Sequence, residues 1–559
     1  MFNFTDNTYR ILIVLTLLAF FGRTFFATLF QVYLWQLKEY RIDRLIDHLK
    51  SKKNRKSIFN IFFYVRLFII LIFFFGVRFI ENNILSLILL IYLLETVNSL
   101  IKIKNKTLKK PILTKKAILI SLISFGTVCY FPGIFLYDAI FLYSEFTERK
   151  FGLLFLMGGT AGTIFITFIL PILVFAIVLI FNIITQLIKK YIYYKAKLKI
   201  QKFQDLLVIG ITGSYGKTST KEFMYQILSN DYNCLKTEKN INSEIGVAQT
   251  VLSKLNKDHQ IFIVEMGAYK KGEIKTTCQM VKPKIGILTA ISNQHLALFG
   301  SQEKIRQTKM ELIDSLPEDG LAIMNFDNNS IRESLKEVTS PYKTYSLDNK
   351  KAYVYAENIE ETENNLKFSI NFNNQNIKLE TNIIPKHNIA NILPSILIAD
   401  YLGMDLRKLP QKIKDLKPID KTMNRKTGKN DLMIIDDTYN ANPDGIKSAL
   451  EHLKLYQNQK RVIVMPSLLE LGEKSRDSHQ EIGEKISEIC THAIFLDKDQ
   501  KSNLEIGIKT IKSNLKIYYE NEKSKILDII EKEIGYNSVI LFESRGTESV
   551  MKILLNREE

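Results

Sequence analysis

The chain has 559 residues, enough for three or four domains, with 46% hydrophobic and 24% charged residues and a net charge of +18. Its four cysteines (Cys129, Cys234, Cys278 and Cys490) are scattered, which excludes a disulfide scaffold and a cysteine-rich metal centre and fits a reducing compartment. The excess positive charge sits in residues 36–57, 102–116 and 189–202, each flanking an apolar run, so no nucleic-acid partner is expected and the pattern is that of positive-inside membrane loops.

Five apolar runs fall in the first 200 residues: Ile11–Leu34, Ile61–Phe79, Ile84–Ile101, Ala117–Tyr137 and Leu153–Ile184. Each is read as a membrane-spanning helix. The first lacks a small-residue cleavage site and is expected to be retained. Basic loops after the first, third and fifth runs predict an integral protein of the cell (inner) membrane. Its N-terminus lies outside and the remainder is cytoplasmic. Arg23 lies inside the first run and is expected to have a buried partner or to contact a lipid phosphate. Arg66 and Arg78, near the ends of the second, are expected to snorkel.

Residues 185–204 read as a basic helical linker. Strands and helices then alternate to about Asp319, which predicts a largely parallel sheet. Ala352–Ala356, Leu366–Phe372 and Ile377–Ile384 alternate like antiparallel strands, a helix follows over His387–Leu402, and a second α/β unit begins near Leu432. The expected fold class is thus an α-helical membrane bundle followed by α/β domains. The expected boundaries are 1–200, 201–423 and 424–559.

Leu206–Thr220 carries the clearest chemistry. A β-branched run breaks at Gly213 and Gly216, and a helical period starts at Lys217. Strand, glycine loop and helix make a phosphate cradle, with Lys217 directed to the β/γ phosphates and the Thr218 hydroxyl to Mg²⁺. The first glycine of the general P-loop spacing would fall at Ile211; here it is Gly213. Two further strands end in candidate ligands, Ile261–Glu265 in Glu265 and Ile285–Ile291 just before His295. Lys309 lies on a following helix.

The shortened loop Thr212-Gly-Ser-Tyr-Gly-Lys-Thr-Ser219 resembles the nucleotide loop of the Mur ligase family, ATP-dependent amide ligases of peptidoglycan synthesis. The resemblance covers roughly residues 205–555. It implies a P-loop central domain and a Rossmann-like C-terminal domain, and it implies that Thr212, Gly213, Ser214, Gly216, Lys217, Thr218 and Ser219 contact ATP. Glu265-Met-Gly-Ala268 and His295-Leu-Ala-Leu-Phe-Gly-Ser301 are similar to segments that hold two magnesium ions. Lys309, in Gln307-Thr-Lys-Met-Glu311, matches a lysine that is carbamylated in several members. Lys239-Asn-Ile-Asn-Ser-Glu-Ile-Gly246 and His387-Asn-Ile-Ala-Asn391 resemble loops that put Asn240, Asn388 and Asn391 on the nucleotide and Asn242 near substrate. Ile435-Asp-Asp-Thr-Tyr-Asn-Ala-Asn-Pro443 resembles the family's C-terminal site. It implies Asp437 on the nucleotide side, with Tyr439, Asn440, Asn442 and Arg545 near substrate.

Departures are also visible. The family's ATP-contacting arginine before the aspartates is missing or replaced by Arg425. Its terminal Lys-Gly-Ser-Arg reads Phe542-Glu543-Ser544-Arg545 here. Membrane runs stand where the family has a domain gripping a UDP-sugar. The resemblance implies a D-alanyl-D-alanine-adding acid–amine ligase of cell-wall precursor synthesis that works through an acyl phosphate. Its partners would be membrane lipid, a cell-wall precursor and an amino acid or dipeptide. Two alternatives remain open: a membrane-bound amide ligase for a lipid-linked precursor or polyglutamate-like polymer, and a P-loop ATPase driving its own membrane bundle.

Overall fold

The computed structural model describes residues 6–42, 44–46, 60–74, 81–137, 149–292, 299–372, 375–439, 441–468, 471, 474–511 and 514–555. They form two compact units, Met1–Lys190 and Tyr191–Glu559.

The first unit is helical: Asp6–Leu37, Ile61–Phe74, Glu81–Lys104, Lys115–Tyr137 and the start of Arg149–Ile200. Three of these contain stretches long and apolar enough to cross a membrane among the described residues, Ile11–Leu37, Ser86–Lys104 and Gly162–Ile200. The expected five spans are therefore three on this criterion. The second run is a shorter apolar helix, Ile61–Leu71, below the roughly 20 residues a span needs. The helix Lys115–Tyr137 does not meet the criterion over its described residues. Phe20, Trp35, Ile88, Tyr92, Val128, Ile164 and Val174 form the unit's core. Large apolar side chains also point outward along the same helices, among them Leu18, Phe68, Leu90, Leu122, Phe165, Ile172 and Ile180.

Buried charges hold this core together. Arg23 Nε lies 2.7 Å from Glu95 Oε2, and Arg66 Nη1 pairs with the other Glu95 oxygen. Arg23 thus has the buried partner expected of it. Arg66 does not snorkel: it turns inward because Glu95, one helix away, supplies a carboxylate. Arg78 lies outside the described residues.

The second unit contains two sheets. The first has nine strands: β1 Leu207–Thr212, β2 Cys234–Lys236, β3 Ile261–Glu265, β4 Ile285–Leu288, β5 Leu321–Asn325, β6 Tyr342–Ser346, β7 Val354–Glu361, β8 Leu366–Phe372 and β9 Gln375–Thr381. Their order is β2-β3-β1-β4-β5-β6-β7-β8-β9. Pairing is parallel as far as β7, and β8 and β9 run antiparallel as the alternation predicted. Runs such as Ile261-Phe-Ile-Val are buried on both faces, as the interior of a helix-covered parallel sheet requires. Apolar cores flank both faces. The end of the basic linker belongs to one of them: Ala196 and Ile200 are buried there, Tyr193 Oη donates to the Thr276 carbonyl at 2.8 Å, and Lys199 Nζ to that of Leu252 at 3.0 Å.

The second sheet comprises β10 Asn424–Thr427, β11 Met433–Asp437, β12 Lys460–Met465, β13 His492–Phe495, β14 Lys516–Tyr519 and β15 Ser538–Glu543. Its order is β10-β11-β15-β12-β13-β14, parallel except for the antiparallel edge strand β10. This is the doubly wound arrangement expected of a Rossmann-like domain, with ligands placed at the carboxyl ends of the strands.

Candidate active site

The glycine loop leaves the carboxyl end of β1 between β3 and β4, so three strand ends converge on it. Gly213 passes so close to the loop after β4 that a Cβ there would lie 2.0 Å from Thr289 Oγ1 and 2.9 Å from the Ala290 nitrogen. Gly216 has φ +81°, a left-handed conformation open to glycine, and caps the helix Lys217–Leu228. The Ser214 amide donates to the Ala290 carbonyl at 2.7 Å, and Thr289 Oγ1 donates to the Tyr215 carbonyl at 2.5 Å. Thr212 Oγ1 donates to the Met266 carbonyl at 2.8 Å. The loop is therefore pinned to both neighbouring strands.

Lys217 curls back so that Nζ donates to the carbonyls of Gly213 at 2.6 Å and Ser214 at 3.1 Å. Burial lowers its pKa, and the Glu265 charge partly opposes that shift. Glu265, 1% exposed at the end of β3, gathers polar groups from the helix Lys217–Leu228 and from residues 237–242. Oε2 accepts from Thr218 Oγ1 at 3.0 Å and from Lys221 Nζ at 3.2 Å. Oε1 accepts from Asn242 Nδ2 at 3.0 Å, and the Glu265 amide donates to Thr237 Oγ1 at 3.1 Å. Lys221 is fully buried and also pairs with the Lys239 carbonyl. It therefore fixes Glu265 and the 239–242 loop together. Sequence reading missed it, although it stands one helical turn after Lys217, where an i, i+4 partner faces the same side.

Lys217 lines two cavities. The larger, about 340 Å³, is lined by Ser214, Gly216, Thr218, Ser219, Asn391, Asp437, Tyr439 and Asn442. His387 and Ser448 face it too, with His387 Nδ1 2.6 Å from Ser448 Oγ. Burial pushes His387 down to about 4, so its imidazole is neutral near pH 7. The smaller cavity, about 60 Å³, is lined by Gly213, Asn242 and Lys309. Lys309 is 5% exposed. Burial, reinforced by the Lys217 charge, brings it down to about 7 against the pull of Glu273 and Glu311.

The asparagines form a chain behind the loop. Asn388 Nδ2 donates to the Ile384 carbonyl at 2.8 Å, Asn391 Nδ2 to Asn388 Oδ1 at 2.9 Å, and Thr220 Oγ1 to Asn391 Oδ1 at 3.5 Å. Asn388 and Arg425 line a third cavity of about 250 Å³, and Arg425 Nη1 donates to the Glu363 carbonyl at 3.0 Å. Asn240 is exposed and lines none of these cavities. Asn442 caps the helix Pro443–Leu453 through the Gly445 amide at 3.0 Å while also facing the large cavity. Arg545 is exposed, with Nε donating to the Tyr439 carbonyl at 3.1 Å. His295 and Asn440 lie outside the described residues.

Asp437, at the end of β11, stands beside Glu543 at the end of β15, its register partner. Burial raises both carboxyls; the Asp437 charge and its hydrogen bond raise Glu543 further, while Asp437 is raised by the Asp436 charge and lowered by the hydrogen bond with Glu543. The Met423 amide, 3.3 Å from Asp437 Oδ1, opposes this at Asp437. Like charges this close cannot both ionise, so the pair holds a proton near neutral pH. In the sequence, Glu543 stands out only as a departure from the family motif.

A family model described as the Mur ligase middle domain matches residues 211–399, and one described as the Mur ligase, glutamate ligase domain matches 423–546. The UDP-N-acetylmuramoyl-tripeptide–D-alanyl-D-alanine ligase of Synechocystis is 32% identical over 293 residues, 52% of this chain and 61% of the relative. That of Buchnera aphidicola subsp. Baizongia pistaciae is 32% identical over 326 residues, 57% of this chain and 70% of the relative. Among solved structures, MurF from Acinetobacter baumannii superposes with a TM-score of 0.60 at 26% identity, covering 66% of this chain and 80% of that one. MurF from Thermotoga maritima, in complex with ADP, gives 0.58 at 25%, covering 66% and 83%. The loop pinned between three strand ends, the glutamate beside it and the facing aspartate of a second sheet thus carry a family signature over both α/β domains: the chain belongs to the Mur ligase family.

Proposed function

We propose that this chain is a membrane-anchored, ATP-dependent acid–amine ligase of the D-alanyl-D-alanine-adding type, acting on a peptidoglycan precursor. The single observation that carries the reading is the Thr218–Glu265–Lys221 cluster beside Lys217, whose Thr218 lines the same cavity as Lys217 and Asp437. Thr218 and Glu265 are hard oxygen donors suited to Mg²⁺. Among the described residues no group of three or more His, Cys, Asp or Glu could hold a metal, so the remaining ligands would be phosphate oxygens and water, as Mg²⁺ prefers. A magnesium ion there would neutralise phosphate charge.

The chain's own groups supply the rest. Lys217 exchanges its two carbonyl contacts for phosphate oxygens, and the loop amides cradle the same group. A substrate carboxylate attacks the γ-phosphorus, giving an acyl phosphate and ADP. The amine then attacks the acyl carbon, the C–N bond forms, and phosphate leaves as the amine loses a proton. His387, neutral and half-buried at the cavity wall, orients groups there through Ser448. A second magnesium site would involve His295 and Lys309. The lowered pKa of Lys309 supports its carbamylation: the neutral amine attacks carbon dioxide, an N–C bond forms and a proton is released, turning a cation into a carboxylate-like ligand.

Outward-facing apolar side chains on three span-length helices support membrane insertion. The basic segments support an N-terminus outside and a cytoplasmic ligase. They also favour a second reading, in which the precursor is lipid-linked and presented at the inner leaflet. Assaying the full chain in membranes with UDP-linked and lipid-linked tripeptide precursors, each with D-alanyl-D-alanine, separates the two. Amide product from neither precursor would end the ligase proposal.

A further inference from the structure

The helical unit carries a charge imbalance that its own described residues do not resolve. Arg23 sits near the midpoint of the 27-residue stretch Ile11–Leu37. Arg23 and Arg66 are 8% and 7% exposed, and both bind the one carboxylate of Glu95. Two guanidiniums against one carboxylate leave one positive charge inside an apolar core. Phe20, Ile88, Ile91 and Ile164 belong to that core, and the Phe168 ring lies 5.9 Å from the Arg66 guanidinium carbon. The nearby Tyr92 hydroxyl is 3.1 Å from Thr163 Oγ1 and offers no compensating charge.

The surplus is directional. Arg23 Nη1 and Arg66 Nε are buried and have no hydrogen-bond partner among the described residues. An unpaired ion in a bilayer interior is costly and marks a site for a partner. A planar guanidinium favours oxyanions with several acceptor oxygens, phosphate above all, because two N–H groups can be engaged together.

We infer that the Arg23–Glu95–Arg66 cluster is an anion-binding site within the helical unit, and that its ligand is the phosphate or diphosphate group of an amphiphile. Glu95 has two roles in this site. It holds both arginines inward, and it reduces their combined charge to one, so that a phosphate is held without being trapped. The inference rests on the membrane assignment of this unit and not on the ligase chemistry of the other.

The test uses the full chain in phosphatidylcholine nanodiscs. Retention of a fluorescent polyprenyl diphosphate is measured for the wild type, Arg23→Gln, Arg66→Gln and Glu95→Gln. Binding of a nucleotide analogue to the P-loop serves as the folding control. Loss of either arginine is expected to weaken retention about tenfold or more, since each removes a charge-assisted hydrogen bond. Glu95→Gln, which raises the local charge, is expected to hold or tighten it. Competition by phosphatidylglycerol to the same extent assigns a general anionic-lipid site, competition by inorganic pyrophosphate alone assigns a headgroup site, and both support the inference. It is overturned if the wild type retains the diphosphate no better than a zwitterionic lipid, or if Glu95→Gln weakens retention as much as Arg66→Gln, the result for a purely structural triad. Failure of the membrane assignment would show separately, as release of the chain by alkaline carbonate.

Discussion

Both units bury one glutamate against an excess of positive charge, and they differ in how the excess is satisfied. At Glu265, Lys221 is matched by the Lys239 carbonyl, Lys217 by two loop carbonyls, and the carboxylate also takes Thr218 and Asn242. At Glu95, two arginines share one carboxylate among apolar side chains, and two N–H-bearing atoms remain without partners among the described residues. The first arrangement is rich in polar partners, and its Lys217 and Thr218 line a cavity, so phosphate can replace the carbonyl contacts of Lys217 at little cost. The second has no such reserve among the described residues, and the proposed anionic ligand would meet its surplus. Two clusters of similar charge ratio therefore imply different chemistry, exchange in one and capture in the other.

The comparison can be broken most strongly at Lys217. Lys217→Ala should lower ATP-dependent turnover by about 10²–10³-fold or more while circular dichroism stays unchanged, because a phosphate-directed charge is removed from a loop pinned by other contacts. Turnover near the wild-type rate in the folded variant would remove Lys217 from the site. Lys221→Met probes the positioning side of the same cluster. Taking one partner from a buried pair is expected to cost about 3–5 kcal/mol of stability. It should also raise the Mg²⁺ concentration needed for half-maximal activity, a shift that a purely structural lysine would not produce.

Lys309 gives a pH-dependent contrast. Its folded pKa of about 7 lies below the unfolded value, so between about pH 7 and 10 the unfolded state binds more protons at this site. Its contribution to stability therefore rises with pH across that window and is least favourable below pH 7. Thermal melts at pH 7 and pH 9 should converge in Lys309→Met relative to the wild type. An unchanged difference would show that the lysine is not held neutral. The smallest expected effect is at Arg425. Arg425→Ala should raise the KM for ATP by about threefold to tenfold with little change in kcat, as loss of one charged contact allows. An unchanged KM would show that Arg425 does not replace the family's arginine.

The central loop was legible because strand, glycine and helix signals coincide within fifteen residues, and Glu265 because it ends a buried β-branched run. The antiparallel β8 and β9 were readable from alternation alone. Lys221 was not, since a lysine in a helix reads as solvent-facing until its partner, 44 residues away, is known. Glu95 hid for the same reason: it pairs with residues 72 and 29 positions distant, and local hydropathy records only one acid in an apolar run. Residues 185–204 read as a basic helical linker because their lysines dominate the composition, while Ala196 and Ile200 supply the buried face. Asp437 and Glu543 become a pair only through the register of β11 on β15.

The most direct test of the ligase assignment measures phosphate and amide together. The full chain in membranes is given ATP and Mg²⁺ with the UDP-linked tripeptide precursor, with D-alanyl-D-alanine, with both, and with neither. Inorganic phosphate and the mass of the amide product are followed over time, and the lipid-linked precursor is run in parallel. The expected result is release of phosphate in a one-to-one ratio with amide, only when an acid and the amine are both present, and its loss in Lys217→Ala. Phosphate release at the same rate with ATP alone, without amide, would contradict the assignment and leave an ATPase.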